Sequence, residues 1–232
     1  MKKSLSKSPS SPGEVDAFLK QVQSISTMAG DRGRLAFVID ATASRQPTWD
    51  SACQIQAKMF RTVEKIGKLN VQLSYFRGLG EFFSSPWVSN SLALKQQMSG
   101  VQCHAGHTQI QRVMKHLLQE TQQIPISASV YIGDACEEPT SGIFKLAGQL
   151  GVHKAPVFMF QEGTDEATAE VYKSISRLSG GAYCRFDSNS ADILSELLSA
   201  VAVYATGGKK ALVEFSRTKT PLLQDLTSQI VR

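Results

Sequence analysis

Five oxygen-bearing side chains stand out in this 232-residue sequence by type and by place. Asp40, Thr42 and Ser44 alternate in the run Asp40-Ala41-Thr42-Ala43-Ser44, directly after an apolar stretch. Thr108 follows Gly106-His107, and Asp134 follows a second apolar stretch that closes on Gly133. The set is two carboxylates and three hydroxyls, with no nitrogen or sulfur donor. Hard donors of this kind suit Mg²⁺, which takes near-octahedral oxygen, keeps several waters and seldom receives a complete protein cage. With hydroxyls as the main direct ligands, such an ion stays electrophilic and welcomes an outside carboxylate. Each residue also has a plainer role available. Asp40 and Thr42 can form an Asx-turn or cap the helix that follows. Thr108 can be a helix N-cap, and Asp134 can cap the helix that opens near Pro139.

The elements that must position these residues are legible from hydrophobic periodicity. Leu35–Ile39 and 128–132 are continuous apolar runs, as expected of strands buried on both faces. Further strands are expected over 71–76, 155–160 and 182–186, and a short antiparallel edge strand over 81–83 after the Arg77-Gly78-Leu79-Gly80 turn. Helices are expected over 49–66, 92–98, 108–120, 139–150, 166–178 and 190–205, the last ending at Gly207-Gly208. Strands that alternate with helices, and are apolar throughout, predict an α/β fold with an open, mostly parallel sheet and helices on both faces. In such doubly wound sheets, ligands sit at the carboxyl ends of the strands. Asp40 and Asp134 stand at two such ends.

The four pieces together resemble the von Willebrand factor type A domain and its metal-ion-dependent adhesion site. Asp40-Ala41-Thr42-Ala43-Ser44 is similar to the family's Asp-x-Ser-x-Ser, with Thr replacing the first Ser. Gly106-His107-Thr108 resembles its Gly-Gly-Thr, with His in place of the second Gly. Gly133-Asp134-Ala135 resembles its Thr-Asp-Gly with altered flanks. Leu178-Ser179-Gly180-Gly181-Ala182-Tyr183 is similar to the small-residue turn before the family's last strand. The resemblance spans roughly Arg34 to Thr206. It implies a Rossmann-like sheet of six strands with one antiparallel edge strand. It also implies Mg²⁺ or Mn²⁺ held by Thr42, Ser44 and Thr108, with Asp40 and Asp134 direct or through water. The implied partner is another protein whose Glu or Asp completes the metal shell, and the implied setting is a complex such as an ATPase or chaperone system. On this reading His104, His107, Glu137 and Trp87 form the rim that contacts the partner.

Competing chemistries lack their residues. A haloacid-dehalogenase-type phosphatase needs a second Asp two residues after the first, where this chain has Thr42. No GxGxxG follows the first strand, and neither a GxxxxGK[ST] loop nor a Gly-x-Ser-x-Gly elbow occurs. The expectation is therefore a non-enzymatic binding protein, with no small-molecule substrate. Cys103, His104, His107 and Cys136 flank the candidate site and raise a transition-metal alternative, but their spacing matches no standard zinc pattern. A second alternative is a scaffold of the same fold that uses no metal and binds through its tail or helical faces.

Composition sets the outer bounds. The chain is 42% hydrophobic and 19% charged, which excludes wholesale disorder and collagen-like sequence. Net charge is +5, but three Lys lie within residues 1–13, and residues 209–232 carry five basic against two acidic groups. The body between them is close to neutral, so nucleic acid is not the expected partner. No apolar run is long enough to span a bilayer. Four cysteines without a CxxC pair fit reduced thiols and a cytoplasmic location. Residues 1–13 read as a flexible basic tail, 14–30 as an amphipathic helix and 31–208 as the von Willebrand factor type A-like body. The basic tail 209–232 has Leu222, Leu223, Leu226 and Ile230 at helical spacing. It can dock on the body, stay loose or bind a partner.

Overall fold

The computed structural model describes residues 32–63, 66–186, 191–217 and 219–231. The expected basic tail 1–13 and helix 14–30 lie outside the described residues. Six strands form one sheet: β1 (Arg32–Asp40), β2 (Lys68–Arg77), β3 (Glu81–Ser84), β4 (Ala128–Gly133), β5 (Val157–Glu162) and β6 (Tyr183–Phe186). Their spatial order is β3-β2-β1-β4-β5-β6. All neighbours pair in parallel except β2 and β3, which form the antiparallel edge. This is the doubly wound sheet that the alternating apolar strands predict.

The helices are α1 (Gln46–Val63), entered through a single 3-10 turn (Ala43–Arg45), α2 (Ser91–Met98), α3 (Ile110–Gln123), α4 (Thr140–Val152), α5 (Glu166–Ser179), α6 (Ala191–Ser216) and α7 (Pro221–Val231). The central strands are buried on both faces, and alternate residues feed two separate cores. Leu35, Phe37 and Ile39 of β1 pack with α1, α2, α6 and α7. Ala36 and Val38 pack with α3, α4 and α5. The continuous apolar runs follow from this double burial.

The C-terminal region departs from a helix that stops at Gly207-Gly208. Gly208 takes φ 67°, a left-handed conformation, and breaks the helical path, yet α6 resumes and runs to Ser216. Pro221 then opens α7 at the first helical position, where its missing N–H costs nothing. Of the three fates open to 209–232, the structure shows docking. Leu212, Leu223, Leu226 and Ile230 are buried in the same core as β1, so the packed unit extends past Gly208. Each such side chain contributes about 1.5–3 kcal/mol of burial. Gln229 of α7 also reaches the open edge of β6. Its side-chain oxygen accepts from the Tyr183 N–H at 2.9 Å, and its amide nitrogen donates to the Tyr183 carbonyl at 3.0 Å. A glutamine amide thus takes the place of a neighbouring strand at an edge that no other strand pairs among the described residues.

Sheet register places the chemistry. Asp40 lies opposite Phe76 at the end of β2, and Ile39 lies opposite Ile132 of β4. Gly133 pairs with Gln161 of β5. Asp40, Asp134 and Glu162 therefore arrive at one edge of the sheet, on three adjacent strands.

Candidate metal centre

Asp40 is fully buried. Its Oδ1 accepts the Thr42 backbone N–H at 2.8 Å, the Asx-turn anticipated for this residue. The Thr42 hydroxyl faces the same carboxylate and makes no capping bond to the turn it precedes. Asp40 Oδ2 is buried and has no hydrogen-bond partner among the described residues. Burial pushes the Asp40 pKa up to about 6, against the Thr42 hydrogen bonds; the nearby Asp134 carboxylate adds to the rise and Arg45 opposes it. A buried carboxylate oxygen without a donor is costly unless something positive meets it.

Asp134 lies near this group, Ser44 is bonded to Asp134, and Thr108 is tied to the loop beyond it. Ser44, on the 3-10 turn, donates its hydroxyl to Asp134 Oδ2 at 3.2 Å. Thr108 is nearly buried, and its hydroxyl accepts the Glu137 N–H at 3.0 Å. Thr108 is not the N-cap of α3; that position is Gln109, whose side chain makes no capping bond. The free N–H groups of the helix are met from a different loop. Glu137 Oε2 accepts from Thr108 N at 3.2 Å, and the Glu138 carboxylate accepts from Ile110 N and Gln111 N. Glu138 therefore caps α3 and not the start of α4, and Glu137 fastens Thr108 ahead of the helix, which ties the Asp134 loop to the Thr108 loop. The Tyr172 hydroxyl fixes that loop by donating to the Ala135 carbonyl at 2.9 Å.

Backbone contacts bring the third loop alongside. Ala41 N donates to Phe76 O, His104 N to Ala41 O, and Gly78 N to His104 O. A Cβ on Gly106 would lie 2.0 Å from the Gly78 carbonyl oxygen, so only glycine fits against the β2–β3 turn. This explains the first glycine of Gly106-His107-Thr108 by close packing.

Three of the four rim residues sit on this edge. His104 and His107 are exposed, and His107 Nδ1 lies 3.1 Å from Glu137 Oε2. Trp87 does not belong with them. Because β3 runs antiparallel, the chain beyond it returns toward the amino end of the sheet, where Val88 bridges Val71. There the Trp87 indole N–H donates to Glu120 at 2.9 Å, and the Arg34 guanidinium stacks on its ring at 3.9 Å. The exposed apolar residue on the carboxyl edge is instead Leu79, 89% exposed at the tip of the β2–β3 turn.

Two residues escaped the sequence reading. Arg45, 7% exposed, lies 3.2 Å from Asp134 Oδ2 through Nη2 and bonds Glu162 through Nη1. Glu162 also accepts from the Thr48 hydroxyl. Inspecting the last residue of every strand would have found Glu162, since it ends β5. The transition-metal alternative gains nothing here. Among the described residues no three His, Cys, Asp or Glu side chains gather into a metal-binding group. Burial pushes the Cys103 thiol up to about 11 and raises Cys136, away from the thiolate a soft metal needs. The oxygen set, which leans on hydroxyls, does suit a hard cation: the partnerless Asp40 Oδ2 beside Asp134, Thr42 and Ser44 is where one fits.

The chain matches no protein-family model and no curated protein sequence. Solved structures do match. A von Willebrand factor type A protein from Catenulispora acidiphila superposes with a TM-score of 0.61 at 13% identity, over 76% of this chain and 43% of that one. The SpRpn10 VWA domain gives 0.54 at 10% identity, over 75% of this chain and 97% of that one. This is the von Willebrand factor type A fold. An aerotolerance-related membrane protein from Bacteroides fragilis gives 0.54 at 19% identity, over 72% of this chain and 98% of that one. This chain thus spans less than half the length of the first of these structures and nearly all of the other two. In this chain, no helix among the described residues is long and apolar enough to cross a membrane.

Proposed function

We propose that this protein is a non-enzymatic binding module that captures an acidic side chain of another protein through a divalent cation, Mg²⁺ or Mn²⁺. Thr42, Ser44 and Thr108 supply hydroxyl ligands, and Asp40 and Asp134 bind directly or through water. Bound there, the cation supplies a Lewis-acidic position for an outside Glu or Asp. The loops at 40–45, 104–108 and 134–138 hold that position open. His104, His107 and Glu137 surround it and select the partner, with Leu79 offering an apolar contact beside them. The von Willebrand factor type A fold and four free thiols support a role as an adaptor or subunit of a cytoplasmic complex, of the ATPase or chaperone kind. The observation that carries the metal is the buried Asp40 Oδ2 without a partner.

Calorimetric titration of EDTA-stripped protein with Mg²⁺ and Mn²⁺ tests it. Binding is expected in the native chain and lost in Asp40→Ala. No heat from either protein at about 10 mM Mn²⁺, well above the millimolar affinities of weak sites, would favour the second reading. That reading is a metal-free scaffold, and its own support is the Arg45 guanidinium already lying against Asp134. Its contact surface would be the helical faces, since the apolar stripe of α7 is spent on the protein's own core.

A further inference from the structure

Arg45 follows Ser44 directly and sits between carboxylates from two neighbouring strands. Nη1 donates to Glu162 Oε2 at the end of β5, and Nη2 lies 3.2 Å from Asp134 Oδ2 just beyond β4. The Thr48 hydroxyl adds to the same Glu162 oxygen and fastens the pair from α1. Nε lies 3.4 Å from Ser44 Oγ, which itself donates to Asp134 Oδ2. Two of the five candidate ligands, Ser44 and Asp134, are thus touched by one fixed cation. A guanidinium keeps its charge in a protein, and this one is buried and anchored on its far side, so it cannot simply swing into solvent.

A divalent cation seated against Asp40 Oδ2 requires the Asp134 carboxylate that Arg45 already engages. The two cations also repel at close range in a poorly solvated edge. Resting on the metal reading above, we infer that Arg45 is a built-in competitor for Asp134. Its guanidinium holds the carboxylate edge together without metal and keeps the affinity for a divalent ion low. Glu162 and Thr48 are its anchor, positioning the competitor without ligating the ion. Metal uptake then includes a transfer of Asp134 from the guanidinium to the ion, and Arg45 sets how readily that transfer occurs.

The test uses the full chain with Mn²⁺ as probe, followed by calorimetry and by the spectroscopic signal of free Mn²⁺. Three proteins are compared: the native chain, Glu162→Gln, and the double variant Arg45→Met/Glu162→Gln. The double variant removes the guanidinium without stranding the buried Glu162 charge. It is expected to bind Mn²⁺ at least about tenfold tighter than the native chain, the scale on which groups behind a ligand tune metal affinity. Glu162→Gln alone, which leaves Arg45 free to engage Asp134 fully, should not gain. In EDTA the double variant should melt below the native chain and recover on adding Mn²⁺. Should it fail to fold, Arg45→Lys serves. A point charge on a shorter stem cannot bridge both carboxylates, so a smaller gain is expected. Tighter binding in the variants altered at Arg45 supports the inference, even if the native chain shows none, in which case the metal reading of the native chain fails separately. Native binding with equal or weaker affinity in the variants altered at Arg45 overturns the inference and leaves the metal reading standing. Silence from every protein overturns both.

Discussion

Arg34 and Arg45 sit at opposite ends of the same sheet, and their surroundings differ in one respect. At the amino end, Arg34 donates to the Ile124 carbonyl, lies 3.2 Å from Glu120 Oε2 and stacks on Trp87, whose indole N–H donates to the same oxygen. One cation meets one anion, and the helix end supplies the rest. At the carboxyl end, Arg45 faces both Asp134 and Glu162, while the buried Asp40 next to them keeps an oxygen with no donor. The first cluster is closed and reads as architecture. The second is short of positive charge, which a folded protein tolerates where something from outside is to be bound.

Paired substitutions sharpen that contrast most. Asp134→Asn should weaken Mn²⁺ binding by about 100-fold, equivalent to ~2.7 kcal/mol, with little effect on melting in EDTA. Glu120→Gln should leave Mn²⁺ binding unchanged and lower stability by about 1–2 kcal/mol, because Arg34 loses its counter-charge. Calorimetry and thermal unfolding of both variants separate the two ends. Equal losses of metal affinity would erase the distinction between them. Gly106→Ala comes next. The added Cβ would meet the Gly78 backbone at 2.0 Å, so the loop that carries Thr108 or the β2–β3 turn must shift. A destabilisation of about 1–3 kcal/mol is expected, with weaker Mn²⁺ binding as Thr108 shifts. Denaturant unfolding of this variant measures the first effect and calorimetry the second.

The same contrast governs what could be read from the sequence. The sheet was legible because strands buried on both faces are apolar throughout, and Asp40 and Asp134 because a charge directly after such a strand is conspicuous. Arg45 was not, and Glu162 only as the last residue of a strand, since nothing local marks the pairing of two residues that lie 117 positions apart and meet across adjacent elements. Trp87 was misplaced because its position depends on β3 reversing direction, a tertiary fact. The α7 stripe was visible as helical spacing, but its docking site rests on Gln229 finding the exposed edge of β6. A glycine pair reads as a helix stop, and Gly208 does break the path, yet burial of Leu212 carries the helix past it.

Gln229 offers a smaller and more local test. Gln229→Ala leaves the Tyr183 N–H and carbonyl without their side-chain partner at the edge of the sheet. About 1 kcal/mol of stability should go, along with hydrogen-exchange protection of the Tyr183 amide. Mn²⁺ binding should be untouched, since α7 contacts β6 far from the Asp40 loop in sequence and on a different strand. Unchanged exchange at Tyr183 would mean that water replaces the glutamine at no cost.

The smallest effect concerns His116, which belongs to the closed side of the comparison. It lies on α3 four residues before Glu120, with Nε2 at 3.0 Å from Ser84 Oγ and 3.1 Å from Gln72 Oε1. Burial lowers its pKa from the ordinary 6.5, and Glu120 offsets part of that. In the unfolded chain His116 takes up a proton as the pH falls through about 6.5, whereas the folded protein resists until a lower pH. Between those values the unfolded state binds more protons, so His116 makes the protein less stable as the pH falls below about 6.5. His116→Gln keeps a hydrogen-bonding group against Ser84 and removes the titration. Denaturant midpoints at about pH 7.5 and about pH 5.5 should therefore fall further in the native chain than in the variant. Parallel shifts in the two proteins would show that the closed cluster tolerates a proton, and the difference between the two ends of the sheet would then rest on the carboxylates alone.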